Sequence, residues 1–290
     1  MISRATLIRA GTLALRFVPY PAARVLAIFL ADICWRLLGE RRRTLEQNLV
    51  HTAPGRSPRE RRRLARLTFR NLALCTIDSL RLPFMSSEEL RSLVESSGRD
   101  HIDAALAGGR GAILVTAHVG NFELGGAWLA ALGYPVYAIA EDLDPEVHEA
   151  VGRYRSATGM KLLSRDRGAV AAFRSLKRNQ LLVLIGDRAI GRGGVPVDFC
   201  GRSRPIPLGT ATLALRTGAP IIVGHLVLDP TGERRYISVF EPLDIGAPTA
   251  DGAGDIERVT RLVARELCRI VRQYPDQWFV FQPEWLAVDD

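Results

Sequence analysis

Two short apolar runs do most to limit the folds open to this 290-residue chain, Ala112–Thr116 (AILVT) and Leu181–Ile185 (LLVLI). Gly111 precedes the first and Gly186 follows the second. Neither run alternates with polar residues, which is the pattern of a strand buried on both faces. Around them, segments with apolar residues at helical spacing take turns with extended ones. Helices are expected over 59–82, 122–132, 145–157, 168–178, 210–217 and 255–273. Pro145 suits a first helical turn, and Gly218 is placed to end the helix 210–217. Further extended segments are expected over 135–140, 160–163, 220–226, 236–240 and 278–281. Strands alternating with helices predict an α/β fold, a layered sandwich with a central, mostly parallel sheet flanked by helices. Residues 246–254, rich in Gly and Ala, read as a surface loop.

Composition matters where charge is concerned. The net charge is +8, and 47% hydrophobic with 24% charged residues excludes wholesale disorder. Residues 1–70 hold fifteen arginines, no lysine and four acids (Asp32, Glu40, Glu46, Glu60), a net +11, which leaves −3 for the rest of the chain. Such asymmetry points to an anionic partner at the N-terminus, either a membrane surface or nucleic acid. Aromatic residues do not interleave with the arginines as a base-stacking platform requires, so no nucleic acid is expected. The four cysteines (Cys34, Cys75, Cys200, Cys268) lack CxxC spacing. That argues against a disulfide framework and a cysteine zinc site and makes a reducing compartment the default.

Residues 12–38 are the most apolar stretch near the start, but Arg16, Pro19, Pro21, Arg24, Asp32 and Arg36 interrupt it. A spanning helix needs about 20 mostly apolar residues, so a span is not expected, and no signal-peptide pattern is present. Leu26, Phe29, Leu30, Ile33 and Leu37 recur at helical spacing, with Trp35 and Arg36 suited to the headgroup level. Two readings stay open: an amphipathic helix lying on a membrane, or one packed on the rest of the protein with its arginines solvated.

His118 directly follows the AILVT run in His118-Val119-Gly120-Asn121-Phe122-Glu123. Sites in α/β sheets form beyond the C-terminal ends of strands. On one continuous helix, His118 and Glu123 would lie five residues, about 500° of rotation, apart and could not meet. With His118 in a loop and Asn121 capping the next helix, Glu123 falls in the first turns and can face back. A His–carboxylate pair is the minimum for a general base. The bland reading is a loop histidine with an unrelated surface glutamate. Zinc is disfavoured because no second His lies within motif range. Asp187 and Arg188 follow the LLVLI run as His118 follows AILVT, and adjacent parallel strands would bring the two loops together. Arg188 is suited to phosphate, and Asp187 can hold Arg188 or contact His118. The Gly- and Arg-rich segments with Arg192, and with Arg202 and Arg204, read as flexible basic loops that either embrace an anionic headgroup or are merely turns. The backbone amides near Gly120 and Asn121 are candidates for an oxyanion site.

The His118–Glu123 block resembles the HxxxxD/E motif of glycerolipid acyltransferases. Asp187-Arg188, the stretch from Gly194 to Gly201, Pro207-Leu208-Gly209-Thr210-Ala211, and the ending Tyr274-Pro275-Asp276-Gln277-Trp278 with Gln282-Pro283-Glu284-Trp285 resemble the bacterial lipid A lauroyl/myristoyl acyltransferase family. Its relatives include the phosphatidylinositol mannoside acyltransferases. The resemblance implies an acyl thioester donor, acyl carrier protein or acyl-CoA, and a glycolipid or phospholipid hydroxyl as acceptor. It implies no metal and no cofactor, and a place at the cytoplasmic face of the bacterial plasma membrane. By motif, His118 would be the base and Glu123 its partner. Asn121, Asp187, Arg188, Arg192 and Arg204 are the candidate substrate-binding residues. Asp187 matches a second acidic position that is Glu in the mannoside enzymes. The implied organisation is a helical membrane-associating region over 1–60 and an acyltransferase domain over 61–290. A non-catalytic glycolipid-binding protein and a thioesterase are the competing readings.

Overall fold

A computed structural model describes residues 4–139, 159–163, 168–189, 194–233, 235–283 and 285. The helix expected over 145–157, and Arg192, lie outside the described residues. Four helices come first: α1 (Arg4–Leu15), α2 (Tyr20–Leu37), α3 (Gly39–Thr52) and α4 (Pro58–Arg81). Then follow α5 (Ser87–Ser92), β1 (Val94–Ser97), α6 (Arg99–Ala107), β2 (Ala112–Thr116), α7 (Phe122–Ala131), β3 (Val136–Ile139) and β4 (Lys161–Leu163). The chain continues through α8 (Gly168–Lys177), β5 (Leu181–Ile185), β6 (Val195–Phe199), β7 (Arg202–Ile206), α9 (Gly209–Thr217), β8 (Ile221–Leu228), β9 (Tyr236–Leu243) and α10 (Gly252–Gln273).

Seven strands form one sheet in the order β1-β9-β8-β2-β5-β3-β4. Strands β8, β2, β5, β3 and β4 run parallel, and among the described residues of this sheet only the β8–β9 pairing is antiparallel. The expected α/β architecture with a mostly parallel central sheet is therefore present. Residues of β2 alternate between two apolar layers. Ile113 and Val115 pack in the cluster with Leu176, Leu213, Val263 and Leu267, whereas Ala112 and Leu114 pack with Ile102, Leu124 and Trp128 on the other face. This two-sided burial is why the run carries no polar alternation.

Local signals account for several ends. Ser57 and Glu60 form a reciprocal capping box at the start of α4, with Pro58 in its first turn. Gly218 closes α9 in the left-handed conformation at φ 70°. The segment read as a flexible loop around Arg202 and Arg204 is instead β7, paired antiparallel with β6. Cys200 and Gly201 make the tight turn between them, at φ 59° and 92°. Near that turn the structure joins Cys200 to Cys268 as a disulfide, with Cα atoms 5.5 Å apart across a sequence separation of 68 residues. The reading against a disulfide framework did not foresee this one bridge. Spacing gave no hint of it because the fold, not the sequence, brings the hairpin onto α10.

The N-terminal helices are divided by side-chain size. In α2 the small residues Ala23, Ala27 and Ala31, with Trp35, face inward, while Val25, Leu26, Phe29, Leu30 and Leu37 are exposed. Trp35 is not at an outer level: it is buried, with its ring 5.6 Å from Phe69 of α4 and edge-on to it. Asp32, which interrupts the apolar run, fastens α2 to α4. Its carboxylate accepts paired hydrogen bonds from Arg70 (2.8 and 2.6 Å) and from Arg66 (3.0 and 2.8 Å). Those bonds from Arg70 and Arg66 hold its carboxyl well below the usual range. Among the described residues no helix is long and apolar enough to cross a membrane.

The depressed pKa makes Asp32 a source of stability above its unfolded pKa that fades as pH falls through the acid range. Asp32→Asn is expected to cost about 2 kcal/mol at pH 7 and to flatten the acid limb of stability. Urea unfolding from pH 3 to 7 checks both.

Candidate active site

Strands β2 and β5 lie side by side with Thr116 opposite Ile185, so the loops leaving their C-terminal ends meet. Gly186 makes the approach possible. Its N–H donates to the Thr116 carbonyl at 2.8 Å, and a Cβ there would stand 2.8 Å from Val115 Cγ2. Across this junction His118 Nδ1 lies 2.7 Å from Asp187 Oδ1. The His118 side chain is 15% exposed and that of Asp187 fully buried.

The second Asp187 oxygen accepts from Trp278 Nε1 at 2.8 Å. The Asp187 backbone carbonyl accepts from Arg204 Nη2 at 2.6 Å. Burial by itself raises the Asp187 pKa. The facing His118, the hydrogen bonds from His118 and Trp278, and the nearby Arg204 charge outweigh it and hold the carboxyl well below the usual range. Asp187 is therefore an anion at neutral pH. In the neutral ring an anionic acceptor on Nδ1 favours the tautomer with the proton there and the lone pair on Nε2, the form a base needs.

The loop that carries His118 is sewn down on both sides. Phe279 N–H donates to the His118 carbonyl at 2.8 Å, Gly120 N–H to the Gln277 carbonyl at 2.9 Å, and Asn121 N–H to the Leu226 carbonyl at 2.9 Å. The amides considered for an oxyanion site at Gly120 and Asn121 are thus spent on backbone carbonyls. Gly120 sits at φ 61°, and a Cβ there would come within 2.0 Å of the Leu226 oxygen, so only glycine fits.

Asn121 caps α7 as its position suggested: its Oδ1 accepts from Leu124 N–H at 3.0 Å and from Ser79 Oγ at 2.9 Å. Its Nδ2 donates to the Cys75 carbonyl at 3.1 Å and to the Tyr236 hydroxyl at 3.2 Å. With both donors and both lone pairs engaged, its contacts serve the fold and leave no group for a substrate. Arg204 likewise points inward. It is 1% exposed, and its guanidinium lies 4.7, 5.7 and 5.8 Å from the ring centres of Phe199, Trp278 and Trp285. Arg188 follows Asp187 and is half-buried, and Glu123 is half-buried in the first turn of α7.

Trp278 and Gln277 were quoted above only as part of a terminal motif, with no role assigned. Gln277 is buried and clamps Leu228, accepting from its N–H and donating to its carbonyl, both at 2.8 Å. The usable signal was Trp278 itself, since a buried indole N–H needs an acceptor.

The family described as "Bacterial lipid A biosynthesis acyltransferase" matches residues 3–287, and the chain belongs to it. The "Phosphatidylinositol mannoside acyltransferase" of Mycobacterium tuberculosis is 32% identical over 214 residues, 71% of this chain and 65% of that protein. The chain thus spans somewhat less than two thirds of that relative's length. The protein of the same description from Mycolicibacterium smegmatis is 31% identical over 215 residues, 72% of this chain and 68% of the relative. The "Lipid A biosynthesis lauroyltransferase" of Escherichia coli is 24% identical over 261 residues, 89% of this chain and 84% of its own.

Replacing Gly120 by alanine is expected to cost more than about 3 kcal/mol, through the collision with Leu226 and the unfavourable φ. Gly39→Ala, which meets nothing within 4 Å, is expected to stay within about 0.5 kcal/mol. Chemical denaturation of the two variants checks the contrast.

Proposed function

We propose that this protein is a membrane-associated O-acyltransferase that moves a fatty acyl chain from an acyl thioester to a hydroxyl of a glycolipid or phospholipid. The observation that carries this reading is the His118–Asp187 hydrogen bond at the ends of two adjacent parallel strands, in a chain of this family. His118 Nε2 takes the proton of the acceptor hydroxyl as its oxygen attacks the thioester carbonyl. Collapse of the tetrahedral intermediate breaks the carbon–sulfur bond, and the imidazolium returns its proton to the thiolate. The products are an ester and a thiol. Asp187 holds the ring and stabilises the imidazolium, and Trp278 with Arg204 holds Asp187.

Glu123 keeps its place in the proposal as the motif's own carboxylate, five residues from the base, beside the ring-holding role assigned to Asp187. Arg188 is assigned to a phosphate of donor or acceptor. The donor is acyl carrier protein or acyl-CoA. The acceptor is a lipid of the pathways that the relatives' descriptions point to, phosphatidylinositol mannoside or lipid A biosynthesis. The exposed apolar face of α2 and the arginines around it support a seat on an anionic membrane, at the cytoplasmic face, without a span.

Two assays test this. With labelled acyl thioester and total lipid, His118→Ala is expected to lose about 10²-fold or more of acyl transfer while its circular dichroism and melting stay those of the wild type. Retained transfer, or release of free fatty acid with water as the only acceptor, contradicts the reading. In vesicle co-sedimentation, binding should need anionic lipid, weaken as salt rises, and fall severalfold in Phe29→Glu.

A further inference from the structure

Where the hinge between α1 and α2 meets α5, a cavity of about 410 Å³ is lined by Arg16, Arg81, Arg235, Tyr20, Phe84 and Glu89, among others. Two of its arginines are fixed in place. Arg81 Nη1 donates to the Leu15 and Val18 carbonyls, both at 3.2 Å. The Arg235 guanidinium lies 3.4 Å from the centre of the Tyr20 ring and forks onto buried Asp78 through Nε and Nη2. Arg16 stands exposed at the mouth, 5.7 Å from the ring of Phe84.

The acids do not cancel this charge. Asp78 neutralises Arg235 from behind. The Glu89 carboxylate accepts from the Ser86 N–H at 2.7 Å in the capping box of α5. Arg16 and Arg81 still exceed Glu89, in a space whose other walls are largely apolar. Guanidinium forks match phosphate oxygens well. Leu13, Phe17 and Phe84 are exposed around the same hinge. A volume of this size takes a headgroup but not two acyl chains as well, which would have to run out over those apolar side chains.

We infer that this cavity is a binding site for the phosphodiester of an anionic lipid headgroup. No residue lining the cavity belongs to the His118 loop, and the inference does not depend on acyl transfer. Its soluble probe lets it fail separately from vesicle binding. Calorimetric titration of the full chain with dihexanoylphosphatidylglycerol, below its micelle concentration, is the test. One equivalent should bind, at least tenfold more tightly than dihexanoylphosphatidylcholine or inorganic phosphate. Arg16→Glu reverses the exposed charge, and Ser92→Trp, at another lining residue, fills the cavity while leaving every arginine in the sequence. Each should weaken binding at least tenfold with the melting temperature kept, and if one variant fails to fold the other carries the test. Equal binding of the two lipids, binding of inorganic phosphate as tight as that of the glycerol lipid, or a folded variant that binds like the wild type overturns the inference.

Discussion

One buried anion, Asp187, organises this molecule. A carboxylate without solvent contact is costly unless it is paired and hydrogen-bonded. Here the carboxylate's hydrogen-bond partners come from distant parts of the chain, His118 from the loop after β2 and Trp278 from the segment after α10, while Arg204 of β7 lends its charge and bonds the Asp187 backbone carbonyl. Satisfying one charge therefore fixes the histidine ring, the terminal segment and the β6–β7 hairpin relative to one another. The order in which those pieces occur in the chain is irrelevant to the site; adjacency of β2 and β5 in the sheet is what matters.

The same terminal segment reaches the N-terminal helices. Asn48 of α3 donates to the Val280 and Gln282 carbonyls, Arg41 to that of Phe281, and Asn71 of α4 to that of Asp276. On the other side of the His118 loop, the Asn121 amide meets the Tyr236 hydroxyl, which donates to Asp78, the anchor of Arg235. The helices that expose the apolar face of α2 are thus bound by specific hydrogen bonds to the loop that carries His118.

Much of the frame was legible because its signals are local. Glycine-bounded apolar runs mark β2 and β5, Asn121 marks the start of α7, and Gly218 marks the end of α9. The meeting of the two loops followed from parallel neighbours. What stayed hidden depends on pairing at a distance. Arg204 looks like a solvated charge in a basic segment, and its aromatic surroundings come partly from residues more than 70 positions away. The carboxylate partner of Nδ1 belongs to Asp187, at |i−j| = 69, whereas local spacing drew attention to Glu123. In α2 the apolar periodicity was visible, but which face turns inward was decided by small residues fitting against α4, and periodicity does not carry that information.

The account rests on the ring of His118 carrying its proton on Nδ1, toward Asp187, with Nε2 unprotonated. Nitrogen-15 NMR of histidine-labelled protein at pH 7.5 reads this directly. The account predicts a protonated Nδ1 and an unprotonated Nε2 for His118, a state that survives Glu123→Gln and is lost in Asp187→Asn. A proton on Nε2 in the wild type, or a His118 signal that ignores Asp187→Asn and responds to Glu123→Gln, would contradict it.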